Sequence, residues 1–198
     1  MIAKLAKSTA HFFAANRIIP SEDEEVYAYG MELLYSTISN IVISLILGII
    51  TDTLFEIFLF LSSFILLRDC IGGYHAKTHL GCMSIFCTVL IGFILIVKFM
   101  PDFLRIVFFI GSNLLSALVV FVFAPIEHPN KPLTEIEKAK LCKRGKSTYV
   151  VLLSISLILL CSGFGYRYSI YISLGMLVSS AAMLCQFKVN NRTGKRCA

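Results

Sequence analysis

Apolar runs long enough to cross a lipid bilayer recur along this chain, and they leave it few folds to adopt. An α-helix rises ~1.5 Å per residue, so a hydrocarbon core ~30 Å thick needs about 20 residues. Runs of this kind lie near 31–50, 53–67, 80–100, 103–125, 148–162 and 168–187. In lipid each backbone N–H and C=O must be satisfied inside its own segment, which restricts such runs to helices. The expected fold is therefore all-α: a polytopic membrane protein with six transmembrane helices, organised as a single integral-membrane domain over 1–198. A hydrophobic content of 57%, a charged content of 15% and a mean hydropathy of +0.81 exclude an ordinary soluble domain. The second and fifth runs are short, which suits a locally thinned bilayer or shielding by other helices.

Lys4, Lys7 and Arg17 interrupt the first twenty residues, so no removable signal peptide is expected. Leu5, Phe12, Phe13, Ile18 and Ile19 fall partly on one side, predicting an N-terminal amphipathic helix in the headgroup region. Pro20 and Ser21 then open an acidic stretch, Glu22 to Glu25, placed to favour the N-terminus of the first span. Between Ala124 and Lys146 lies the longest polar segment. Pro125, Pro129 and Pro132 stiffen its first part, and a short helix is expected from Thr134 to Cys142, with Thr134 and Glu137 spaced as a capping box.

Basic residues gather on the cytoplasmic side of membrane proteins. With six spans, Lys4, Lys7, Arg17, Arg68, Lys77, Lys131, Lys138, Lys140, Lys143, Arg144, Lys146, Lys188, Arg192, Lys195 and Arg196 share one side, against Lys98, Arg105 and Arg167 on the other. Both termini and the 68–79 loop are thus expected in the cytoplasm. The net charge of +6 reflects this topology and not a nucleic-acid partner. Seven cysteines lie in spans or on the reducing side, so no disulfide framework is expected. Inside the spans, Glu56 reads as an interfacial charge near Lys98 or Arg105, and Asn40, Asn113, Ser112 and Ser116 read as hydrogen-bonding links between helices.

One segment invites a chemical explanation. Arg68 to Cys82 reads RDCIGGYHAKTHLGC, a turn-like stretch between two apolar runs. A cysteine nucleophile needs a thiolate near neutral pH, a base or cation beside it and donors for an oxyanion. Cys82 falls at the N-terminal end of the third span, with His79 three and His75 seven residues upstream, and Arg68 and Lys77 adding positive potential. A straight helix would favour His79 as the partner, but Gly72, Gly73 and Gly81 permit turns that fold His75 back, so spacing leaves both open. A second reading has His75, His79 and Cys82 binding zinc or copper in a small metal or solute transporter, against which the spans offer no further ligands to pass an ion across. A third is a scaffold whose loop binds a partner.

The string Arg68, Gly72, Gly73, Tyr74, His75, Ala76, with Cys82 seven residues beyond the histidine, resembles the signature of the accessory gene regulator protein B (AgrB) family, membrane endopeptidases of bacterial quorum sensing. The later Ala124 to Leu133, APIEHPNKPL, resembles that family's cytoplasmic loop. The resemblance implies a bacterial cell-membrane cysteine endopeptidase without metal or cofactor, with His75 as base, Cys82 as nucleophile and Arg68 and Gly73 in support. His79 matches no catalytic position. It further implies an AgrD-like precursor peptide as substrate, cleaved at the C-terminal side of its autoinducer segment and cyclised to a thiolactone or lactone, and a homodimer in membrane lipid. Basic groups at Lys143, Arg144 and Lys146 are expected to attract the precursor's acidic tail.

Overall fold

The computed structural model describes residues 2–73, 79–126, 134–162 and 166–192, except the side chains of His79, Leu80, Cys82, Asp102 and Arg192. Among these the chain is helical throughout: α1 (Ile2–Ala15), a 3-10 turn (Ser21–Asp23), α2 (Glu24–Ile50), α3 (Leu54–Ile71), α4 (His79–Phe99), α5 (Asp102–Phe123), α6 (Glu135–Cys161) and α7 (Tyr166–Arg192). Four helical stretches are long and apolar enough to cross a membrane: Ser21–Ile50, Phe103–Phe123, Glu135–Cys161 and Tyr166–Asn191. The chain is an all-helical membrane protein. The other two expected spans correspond to α3, which carries Glu56, Arg68 and Asp69, and to α4, whose described apolar part is Met83–Phe99.

Two boundaries differ from the sequence reading. Arg68 to Ile71 are not part of a turn but the last turn of α3, and His79 to Cys82 open α4. The short helix expected at 134–142 is continuous with the fifth span, so α6 runs unbroken from Glu135 to Cys161. Its capping box is present: Thr134 Oγ1 accepts from the Glu137 N–H at 3.3 Å, and the Thr134 N–H donates to Glu137 Oε2 at 2.9 Å. Once that start is capped, nothing between Lys138 and Ser147 breaks the helix, and Gly145 serves close packing, since a Cβ there would sit 3.1 Å from Ile71 Cγ2.

The chain forms two compact units. Unit 1 comprises Met1–Leu47 and Ala76–Ile94, thus α1, most of α2 and most of α4. Here α1 ends in a Schellman motif: the Ile18 N–H donates to Phe13 O at 2.9 Å, that of Arg17 to Ala14 O at 3.0 Å, and Arg17 takes φ 55°. Ala6 and Ala10 are buried, Thr9 and Tyr35 hydroxyls lie 2.9 Å apart, and His11 Nδ1 lies 3.2 Å from Glu24 Oε1. Leu5 and Phe12, expected on the apolar side of α1, are exposed, as membrane contact would require.

Unit 2 comprises Gly48–His75 and Leu95–Ala198, and its described core is a bundle of α3, α5, α6 and α7. α7 is its hub, with 61% of its apolar window buried, against 33% for α5 and 22% for α6. α3 and α7 run parallel: Glu56 pairs with Arg167, Gly175 abuts Phe60, Ser63 and Phe64, and Ser179 Oγ donates to Phe64 O at 2.9 Å. Small residues on α7 allow this approach, as is usual where helices associate without a hydrophobic drive from water. Asn113 of α5 donates to Ser173 Oγ at 2.8 Å, and Tyr149 of α6 donates to Asn113 O at 2.6 Å, so Asn113 does link helices as its position in a span suggests. A buried cluster of Leu67, Ile71, Val119, Val120, Tyr149 and Met183 fills the end of the bundle where α3 terminates.

Candidate functional site

The segment that suggests chemistry divides into a part the structure describes and a part it does not. His75 and the side chains of His79 and Cys82 lie outside the described residues, so the choice between His75 and His79 stands where the sequence leaves it. The Cys82 backbone belongs to the first turn of α4, in unit 1. A helix start concentrates unpaired N–H groups and the positive end of the helix dipole, which favours a thiolate. Glu127 to Leu133, the centre of the proline-rich segment, also lie outside the description.

What is described, in unit 2, is the platform from which the His75 segment departs. α3 ends because Gly72 takes φ 77° and ψ −173°, a conformation open essentially to glycine alone, while its N–H still donates to Arg68 O at 3.0 Å. The chain beyond α5 comes back against this point. The Ile126 N–H donates to Ile71 O at 3.0 Å, and a Cβ on Gly72 would stand 2.5 Å from Ile126 O. Ile126 and Ala124 pack on the buried cluster that includes Ile71, which anchors both strands of this contact.

Arg68 lies one helical turn before Gly72 and is half-buried. Its guanidinium carbon stands 5.4 Å from the centroid of the Phe64 ring, within cation–π range. A Cβ at Gly73 would come within 3.3 Å of Arg68 Nη1 and 3.5 Å of Ala182 Cβ. Arg68 and Gly73 are thus neighbours in space, Gly73 leaving the guanidinium its room. On α6, Lys143 and Arg144 are exposed, whereas Lys146 is half-buried with Nζ 5.6 Å from the centroid of Phe121. These three residues are helical, not part of a loop.

Glu56 is buried and pairs with Arg167, Nε to Oε1 at 2.8 Å, a partner its sequence position does not name. Sequence separation hid this partner, because only the parallel packing of α3 on α7 brings their first turns together. No group of three or more His, Cys, Asp or Glu able to hold a metal occurs among the described residues.

Comparison with known proteins places the chain in a family. The Accessory gene regulator B family pattern matches residues 6–186. The chain belongs to that family. An AgrB-like protein 2 of Clostridium perfringens (strain 13 / Type A) is 30% identical over 150 residues, covering 73% of this chain and 70% of its own. An AgrB-like protein of Clostridium perfringens (strain SM101 / Type A) is 29% identical over 150 residues, covering 73% and 70%, and one of Clostridium beijerinckii is 28% identical over 159 residues, covering 77% of each. No solved structure matches the chain. Membership in the accessory gene regulator B family gives the chain a role in that quorum-sensing system.

Proposed function

We propose that this member of the accessory gene regulator B family is a membrane cysteine endopeptidase that cleaves and cyclises an AgrD-like precursor peptide. The observation that carries the reading is the family match over 6–186, a range that contains the whole Arg68, Gly72, Gly73, His75, Cys82 constellation. Cys82 is the nucleophile and His75 the base, with Arg68 and Gly73 in support. The Cys82 thiolate attacks the carbonyl at the C-terminal end of the autoinducer segment, a C–S bond forms and the peptide C–N bond breaks. His75 delivers the proton to the departing amine of the tail. A cysteine or serine within the bound peptide then attacks the acyl thioester, closing the thiolactone or lactone and releasing Cys82. Water must be kept from the thioester, which a site at the membrane edge favours.

In this reading all six long helices span. α3, with 18 residues, extends about 27 Å, and α4, with 21, about 31 Å, close to a hydrocarbon thickness of ~30 Å. The charges of α3 sit near its ends, Glu56 in the first turn and Arg68 in the last. With six spans and the basic segments inside, both termini, the His75 segment and the basic end of α6 face the cytoplasm. Exposed Lys143 and Arg144 then meet the acidic tail of the precursor, and the enzyme acts as a homodimer. The test is mass spectrometry of the precursor peptide incubated with the protein in lipid, for wild type, Cys82→Ser, His75→Ala and His79→Ala. Cleavage lost in the first two variants and kept in the third, with an acyl adduct on wild-type Cys82, is expected. Intact precursor with the wild type refutes the reading.

A further inference from the structure

Asn113 pins α5 to α6 and α7 and still has one polar atom to spare. Its Nδ2 donates one hydrogen to Phe109 O at 2.8 Å and the other to Ser173 Oγ at 2.8 Å. The nitrogen must face this way, because a backbone carbonyl only accepts and the Ser173 hydroxyl already donates to Ser169 O at 2.9 Å. The Asn113 carbonyl takes the Tyr149 hydroxyl at 2.6 Å. The side-chain oxygen Oδ1 has no hydrogen-bond partner among the described residues, and neither has Ser116 Oγ. Both residues are deeply buried, Asn113 6% exposed and Ser116 0%. An unpaired polar group held away from water destabilises a fold, so two of them side by side need a common explanation.

Asn113 and Ser116 stand three residues apart on α5, where Cβ atoms are about 5–6 Å from each other. Side chains on a helix lean toward its N-terminus, which lays Ser116 over the turn that begins at Asn113. A buried serine in a helix commonly donates to a carbonyl three or four residues back, as Ser112 does to Phe109 O at 3.1 Å and Ser156 to Leu153 O at 2.9 Å. Ser116 does not. This face of α5 therefore presents one acceptor, Asn113 Oδ1, and one hydroxyl that both donates and accepts. The Tyr149 oxygen, whose hydrogen is engaged by Asn113 O, is a second acceptor at the same level. We propose that one structural water is bound here between α5, α6 and α7: it accepts from the Ser116 hydroxyl, donates to Asn113 Oδ1 and turns its second hydrogen to the Tyr149 oxygen. Three hydrogen bonds are the usual complement of a buried water. The donor set is neutral and includes a hydroxyl hydrogen in need of an acceptor, which suits water and not a cation. The water makes the three-helix junction at Asn113 complete in its hydrogen bonds, and it stands independently of the peptidase reading.

The experiment uses the full chain in detergent micelles with its asparagine nitrogens labelled. Magnetisation transfer from the water signal to the Asn113 Nδ2 protons is measured by paired NOE and ROE spectra, that amide being identified by its loss in Asn113→Gln. The test variant is Ser116→Ala. Ser156→Ala is the control, since Ser156 is equally buried but bonded within its own helix. The wild type is expected to show transfer from a long-lived water, kept in Ser156→Ala and lost in Ser116→Ala. Ser116→Ala should also melt about 2–4 °C below the wild type, because a bridged hydroxyl is a made hydrogen bond, whereas deleting an unpaired one would raise the melting temperature. A wild type without a long-lived water at Asn113, a transfer that survives Ser116→Ala, or a Ser116→Ala protein that melts above the wild type overturns the proposal.

Discussion

Gly175→Ala tests whether the α3–α7 contact is as close as it looks. A Cβ at this position would overlap Ser63 Oγ and come within 2.6 Å of Phe60 O and 3.0 Å of Phe64 N. Ordinary contact begins at 3.4 Å, so the helices must part by 3.4 − 2.6 = 0.8 Å at this level, and two of the obstacles are backbone atoms that cannot rotate away. Overpacking of this kind costs about 1–3 kcal/mol, and the gain from replacing a helical glycine by alanine offsets about 0.5–1 kcal/mol of it. The net expectation is a loss of roughly 0–2.5 kcal/mol, or up to roughly 10 °C in melting temperature for a chain of this size. Gly111→Ala, on the exposed side of α5 with nothing within 4 Å of a Cβ, keeps only the propensity gain and should melt slightly above the wild type. Thermal unfolding of both variants in the same detergent reads the difference in sign. Adding Ser63→Ala to Gly175→Ala removes the hydroxyl but not the Phe60 carbonyl, so recovery should be partial. A Gly175→Ala protein that melts at or above the wild type refutes the close-packing argument.

The Glu56–Arg167 pair is asymmetric, with side-chain exposures of 8% and 56%. Arg167→Ala strands a buried carboxylate and should cost about 2–4 kcal/mol, whereas Glu56→Gln leaves a hydrated guanidinium and should cost about 1 kcal/mol; a double-mutant cycle by denaturation checks the order, and equal losses would show that burial does not govern the pair. Thr134→Ala removes the capping box of α6 and should cost about 1 kcal/mol of stability, with amide exchange faster in residues 135–138 but not at Tyr149; unchanged exchange would show that the cap does not hold the helix start.

The extent of the helices was largely legible because an apolar run in lipid has one solution. The capping box at Thr134 was legible because it satisfies a helix start locally, and the acidic stretch because Glu24 and Glu25 stand in the first turn of α2, where the helix dipole favours carboxylates. The sequence divides α6 into two pieces because its first half is basic and its second apolar, a change of composition that does not break the helix. The partner of Glu56 was hidden because sequence carries no information about which first turns meet. Within the site, the sequence supplied the residue types and the resemblance supplied their roles. The contact of Ile126 with Ile71 and Gly72 was not legible at all, since it is made of backbone atoms and of an isoleucine whose side chain gives no hint of what its N–H and C=O do.

The central position of α7 bears on how the protein is made. Helices are synthesised in chain order, and α3, which carries Arg68 and leads to His75, is made well before α7, which packs along it. Until α7 arrives, Ser179 is not there to bond the Phe64 carbonyl and Ala182 is not there to bound the Arg68 pocket. A nascent chain therefore carries α3 without the helix that packs most against it until α7 has been made.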